Sequence, residues 1–128
     1  MSAKIRREVG FTLIELLVAM VIVSVLLSIV APRYFRSVSK AEEAVLKQDL
    51  SLMREALDKY HADTGKYPEV LEDLVSKKYM RKVPVDPVTE SSITWILLPP
   101  SDGEKGVIFD VKSGAPGNGR DGTPYADW

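Results

Sequence analysis

The sequence predicts an α+β fold in which a long N-terminal helix packs against a small antiparallel sheet and a glycine-rich C-terminal loop. Three features predict it. Residues 11–31 form an apolar run with a single charge, and residues 46–60 carry apolar side chains at helical spacing. Two short segments rich in β-branched residues follow at 93–98 and 106–111. A chain of 128 residues supports one domain with an appendage.

The composition narrows the functional classes. The chain has 17 basic and 18 acidic residues and a net charge of −1, so it lacks the basic footprint of a nucleic-acid-binding protein. It contains no cysteine, which excludes disulfides, thiolate metal sites and a cysteine nucleophile.

The apolar run has the length of a membrane span. At helical rise its 21 residues cover about 32 Å, enough to cross a bilayer core. Lys4, Arg6 and Arg7 precede the run, which indicates that the N-terminal end stays in the cytoplasm. The run is too long for a secretory signal peptide, so an uncleaved single-pass anchor is the simplest interpretation.

Glu15 does not fit a simple anchor. A carboxylate within hydrocarbon costs roughly 2.5–3.5 kcal/mol. Two explanations stay open: the side chain reaches the nearby interface, or the acid has a partner. If the chain is cut between Gly10 and Phe11, the new amino group can pair with Glu15, within one helix or between neighbouring helices.

The second half of the helix is amphipathic. Its apolar face has intervals of 4, 3, 4 and 3 and comprises Leu46, Leu50, Met53, Leu57 and Tyr60. We expect this stripe to face the C-terminal domain. Pro32 either ends the membrane helix or kinks it, and a kink is favoured because membrane helices tolerate proline.

The helix is expected to stop at residues 62–68, where Gly65 suits the left-handed position past a helix end and Pro68 prevents a restart. Residues 69–79 predict a short second helix. Its apolar side would consist of Val70, Leu71, Leu74 and Val75. The segment 82–87 is rich in turn residues, and the segments 93–98 and 106–111, joined by a turn at 99–105, predict an antiparallel strand pair.

The sequence predicts that the protein is not an enzyme. His61 is the only histidine, and no second base or nucleophile accompanies it at a useful spacing. Asp102 and Asp110 flank a turn and a strand and do not form an evident carboxylate pair.

The C-terminal loop (residues 113–128) has a composition that suits a hard cation. Its four glycines supply flexibility, and Asn118, Asp121 and Asp127 supply oxygen atoms. Calcium is bound by six to eight oxygen ligands. Such clusters also occur in plain turns, so composition alone leaves both alternatives open.

The N-terminal residues resemble a known processing signal. "KIRREVG" followed by "FTLIELLVAMVIVSVLLSIVAP" is similar to the class III signal of type IV pilins and type II secretion pseudopilins. The resemblance implies that a prepilin peptidase cuts after Gly10 and methylates Phe11, and that Glu15 serves assembly. It also implies a pilin-like fold.

Later motifs resemble one branch of that superfamily. "ALDKYHADTGKYP", "VPVDP" and the glycine-rich end with a final tryptophan are similar to the G-type major pseudopilins of type II secretion. The resemblance divides the chain into a leader (1–10), a transmembrane and assembly helix (11–32), an amphipathic periplasmic helix (33–64) and a small periplasmic domain (65–128).

The resemblance implies a structural subunit of a periplasmic pseudopilus that drives protein secretion, anchored in the inner membrane by a single span. The implied partners are further copies of the chain, the prepilin peptidase, minor pseudopilins and the inner-membrane assembly platform. Two alternatives stay open: a type IV pilus subunit, and a membrane-anchored periplasmic binding module that does not polymerise.

Calcium is also implied by the resemblance, since G-type pseudopilins bind it in the corresponding loop. The expected ligands here are Ser113, Asp121 and Asp127. The pattern departs from the family at Pro116, which occupies a position that is usually acidic.

Overall fold

The computed structural model describes residues 10–128. Its elements in chain order are the helix α1 (Leu13–Thr64), the short helix α2 (Glu72–Ser76), the strands β1 (Ile96–Leu98) and β2 (Asp110–Lys112), and a 3₁₀ turn η1 (Tyr125–Asp127). Helices and an antiparallel two-stranded sheet together confirm the predicted α+β class. The chain divides into two compact units, one ending at Ser37 and one comprising Val38–Trp128.

The first unit contains the beginning of α1, whose apolar side chains are exposed. The helix continues through Pro32, so the alternative in which proline ends it is wrong. Within this stretch the hydroxyls of Ser24 and Ser28 donate to the carbonyls of Met20 and Val25, at 2.7 and 2.6 Å. These serines therefore satisfy their polar groups within the helix, as an apolar environment requires.

The second unit is built on the rest of α1, and the predicted stripe is confirmed. Its five members are between 0% and 3% exposed: Leu46, Leu50, Met53, Leu57 and Tyr60. They form one cluster with side chains from α2 and the strands, including Leu74, Trp95, Ile108 and Val111. Two short strands cannot bury an apolar core alone, and the helix supplies the missing surface.

α1 ends where the sequence predicts. Gly65 adopts a left-handed φ of +74°, and its N–H donates to the carbonyl of His61 at 2.8 Å. The hydroxyl of Thr64 donates to the carbonyl of Tyr60 at 2.7 Å. A left-handed residue directly after the helix is the usual way to satisfy its last carbonyls.

α2 is shorter than predicted. It spans five residues, and Lys78 leaves the helical conformation with a φ of +65°. Leu71 and Leu74 are buried as expected, whereas Val70 is 48% exposed, so its placement on the packed side was wrong. The main-chain N–H groups of Glu69 and Val70 donate to the carboxylate of Asp73, which turns this stretch into a loop before the helix.

The strand pair is antiparallel as predicted, with Leu97 opposite Val111, but the strands are shorter and the second lies later. Instead of joining the ladder, Val107 and Ile108 both donate to the carbonyl of Pro68, at 3.3 and 3.0 Å. Gly106 allows this approach, because a Cβ there would lie 2.1 Å from the carbonyl oxygen of Tyr67. The segment after α1 thus takes the hydrogen bonds that the predicted strand would have used.

Candidate functional site

The predicted processing junction lies just before α1. Gly10 has no regular structure and is exposed, and Phe11 is 88% exposed. The rest of the predicted leader, residues 1–9, lies outside the described residues. Cleavage at this bond stays a prediction.

Glu15 takes part in the N-terminal cap of α1. Its carboxylate accepts a hydrogen bond from the main-chain N–H of Thr12 at 3.3 Å, and its own N–H donates to the Thr12 hydroxyl at 3.2 Å. This reciprocal pair is a capping box, in which a threonine and a glutamate three residues later satisfy two helix-end donors. The T-x-x-E spacing in the sequence could have identified Thr12, which sequence reasoning missed.

The capping box explains how the chain tolerates the acid. The carboxylate lies at the N-terminal end of α1, where the helix dipole favours negative charge. Beyond it, residues 16–31 carry no charge. By length and composition alone, α1 is long and apolar enough to cross a membrane. The geometry therefore presents one carboxylate at the start of an exposed apolar helix.

The three predicted calcium ligands have separate surroundings. Ser113 is fully buried, and its hydroxyl donates to the Asp86 carboxylate at 2.5 Å. Asp121 is exposed and accepts hydrogen bonds from the N–H and hydroxyl of Thr123, which lower the pKa of its carboxyl group. Asp127 lies in η1 on the surface.

These residues do not form a fitting calcium site. Between residues 10 and 128, no three His, Asp or Glu side chains are grouped closely enough to hold a metal ion. Calcium needs six to eight oxygens around one point. The Ser113 hydroxyl is instead directed to Asp86, and one carboxylate oxygen of Asp121 accepts from Thr123. Calcium binding itself stays a prediction that titration can test.

Asp86 is a buried residue that sequence reasoning missed. It is 0% exposed, and one carboxylate oxygen accepts from the N–H groups of Val88 and Thr89 at 2.8 and 3.3 Å. The other oxygen accepts from Ser113. Asp86 therefore connects the turn at 86–91 to the residue that follows β2. Its position in "VPVDP" marks a turn but does not reveal the distant serine.

The contacts of His61 link segments of the chain and indicate a structural role. Its ring stacks on Tyr67 with centroids 4.2 Å apart, and its Nε2 lies 3.2 Å from the Glu104 carboxylate. The contact with Glu104 joins the end of α1 to the 99–105 connection, and the contact with Tyr67 joins it to the segment that follows α1. The pairing with Glu104, 43 residues away, was not visible in the sequence.

Comparison with known families gives a local match at the N-terminus. Residues 5–31 match the family model of the prokaryotic N-terminal methylation motif. The matched segment includes the predicted junction at Gly10 and Phe11, Glu15, and the apolar run.

Comparison with curated proteins extends over most of the chain. The chain is 33% identical to the type II secretion system core protein G of Vibrio cholerae, over 94% of this chain and 90% of the relative. The chain is 36% identical to the core protein G of Pseudomonas aeruginosa, over 64% of this chain and 69% of the relative. It is 32% identical to the core protein G of Escherichia coli, over 86% of this chain and 83% of the relative. No solved structure matches the chain.

Proposed function

The chain belongs to the family of type II secretion system core protein G, and from this we propose that it is a pseudopilin: a structural subunit that polymerises into a periplasmic filament and so drives protein secretion. The N-terminal methylation motif supports the same role. The relatives' names favour a secretion filament over a type IV pilus. The proposed role is structural and includes no catalytic step.

The proposed pathway begins in the inner membrane. The apolar part of α1 spans the bilayer once, with the leader in the cytoplasm and the C-terminal domain in the periplasm, as the basic residues before the span support. A prepilin peptidase then cuts between Gly10 and Phe11 and methylates the new amino group. The exposure of Phe11 supports access to this bond.

The observation that carries the proposal is Glu15, the only charged residue of the exposed apolar run. In the single chain its partner is the main-chain N–H of Thr12. We propose that in the filament this neutral donor is exchanged for the Phe11 amine of a neighbouring subunit. A charged pair in an apolar layer offsets the desolvation of both groups, so the exchange favours assembly.

Other partners follow from this role. They are further copies of the chain, minor pseudopilins and the inner-membrane assembly platform. The amphipathic part of α1 buries its stripe within the chain's own C-terminal domain, which leaves the exposed apolar N-terminal part for the membrane and the filament core.

Substitution of Glu15 tests the proposal. Glu15→Ala and Glu15→Gln remove the charge, and we expect both to abolish filament assembly and secretion while the protein still accumulates in the membrane. Thr12→Ala is the matched control, because it removes one half of the capping box and keeps the acid. Electron microscopy of sheared filaments and a secretion assay give the readout. Normal assembly by Glu15→Ala would refute the pairing role.

A further inference from the structure

Arg54 lies on α1 and contacts three oxygen atoms from two places in the C-terminal part of the chain, the strand β2 and the end of the C-terminal loop. Its Nε donates to the Asp110 carboxylate at 2.9 Å, and its Nη2 donates to the main-chain oxygens of Val111 and Trp128, at 3.0 and 2.6 Å. One planar cation therefore joins α1, the strand β2 and the end of the C-terminal loop.

Trp128 is held by several further contacts. Its indole N–H donates to the Thr123 hydroxyl at 2.7 Å, and the Lys47 ammonium lies 4.6 Å from the centre of its ring. Lys112 donates to the same main-chain oxygen that Arg54 contacts, at 3.1 Å. The ring packs so closely on Gly119 that a Cβ there would lie 2.2 Å from it.

The middle of the C-terminal loop is fixed to α1 through Glu43. One oxygen of its carboxylate accepts from the main-chain N–H of Arg120 at 2.7 Å and from the Tyr125 hydroxyl at 3.3 Å. Together with the Ser113–Asp86 pair, the loop is attached at its start, its middle and its end by side chains of the chain itself.

We propose that the Arg54 guanidinium is the cation that closes the C-terminal loop, so that the loop closes without calcium. A guanidinium presents its donors in a fixed fork, which suits several oxygens at short distances. A bound metal would organise oxygens in a similar way, but between residues 10 and 128 no three His, Asp or Glu side chains form a group that could hold one. This inference goes beyond the proposed function, because it concerns how the subunit folds and not how subunits assemble.

The test uses the full-length protein in detergent micelles. Arg54→Met removes the charge and keeps the aliphatic stem, whereas Arg54→Lys keeps the charge and loses the fork. Lys59→Met is the matched control: Lys59 is on the same helix, is 64% exposed and pairs only with Glu55 among the described residues. Melting temperature reports stability, and the rate of tryptic cleavage after the exposed Arg120 reports local opening of the loop.

We expect Arg54→Met to lower the melting temperature by about 5–10 °C and to accelerate cleavage after Arg120. Arg54→Lys should give a smaller change of the same sign, and Lys59→Met should match the native protein. Neither millimolar calcium nor a chelator should shift the melting temperature of the native chain.

Two results would overturn the inference: a calcium-dependent rise in the native melting temperature, or an Arg54→Met variant that melts and resists trypsin like the native protein. If Arg54→Met does not fold, Arg54→Lys and the calcium titration still decide. Neither result bears on Glu15 and filament assembly, so the two proposals fail separately.

Discussion

At the residue scale, two carboxylates fix the local backbone by accepting hydrogen bonds from main-chain N–H groups. Asp86 is fully buried and accepts three hydrogen bonds, and Glu15 caps α1 through Thr12. Among the described residues no buried side-chain polar atom lacks a partner. A buried acid with a complete set of donors fixes the positions of the groups that donate to it.

Asp86→Ala should lower the free energy of unfolding by roughly 2–4 kcal/mol, because it leaves two main-chain N–H groups and the Ser113 hydroxyl without their acceptor. Chemical denaturation of the full-length protein in detergent measures the change. Ser113→Ala is the control and should cost less, about 1–2 kcal/mol, since it removes one of the three donors to Asp86 and the acceptor of the Ala115 N–H. A loss for Asp86→Ala no larger than that for Ser113→Ala would show that Asp86 does not organise the turn.

Side chains whose partners are distant in the sequence were the hardest to predict. Arg54 looks like one more charge on the polar side of α1, and its partners Asp110 and Trp128 are 56 and 74 residues away. The candidate calcium ligands present the opposite difficulty, and calcium binding itself stays a prediction. Ser113 and Asp121 are near in sequence, but Ser113 turns inward to Asp86 while Asp121 stays on the surface. Spacing along a loop does not reveal which side chains enter the core.

At the element scale, α1 carries the structure of the second unit. Its stripe supplies the apolar surface that α2 and the two short strands need. The stripe was predictable because its helical spacing repeats over four turns and does not depend on which elements pack against it. The strands were less predictable, because Val107 and Ile108 have strand-like side chains but donate to the carbonyl of Pro68. That contact depends on where the chain returns after α1.

Leu57→Ala should destabilise the protein by about 2–5 kcal/mol, because Leu57 is 0% exposed within the core cluster and its removal leaves a cavity. Leu52→Ala is a matched control on the same helix. Leu52 is 48% exposed, so its truncation should change stability by less than about 0.5 kcal/mol. Equal losses for the two variants would contradict the assignment of the buried face.

At the scale of the whole molecule, the chain combines an exposed apolar segment with a self-contained domain. Every buried hydrophobic side chain among the described residues lies between Leu46 and Ala115, within the second unit. The first unit buries none, so its apolar surface needs a partner outside the single chain, which a membrane and then a filament would supply. The predicted boundaries after residues 32 and 64 do not coincide with this division after Ser37, although hydropathy alone marks the apolar run at 11–31.

The processing step is the central claim, because a free amino group at Phe11 is the proposed partner of Glu15. Intact-mass measurement of the protein extracted from membranes tests it most directly. We expect the mass of residues 11–128 plus one methyl group, with the modification at Phe11. A chain that retains Gly10 and the residues before it, or begins at Phe11 without the methyl group, would contradict the claim.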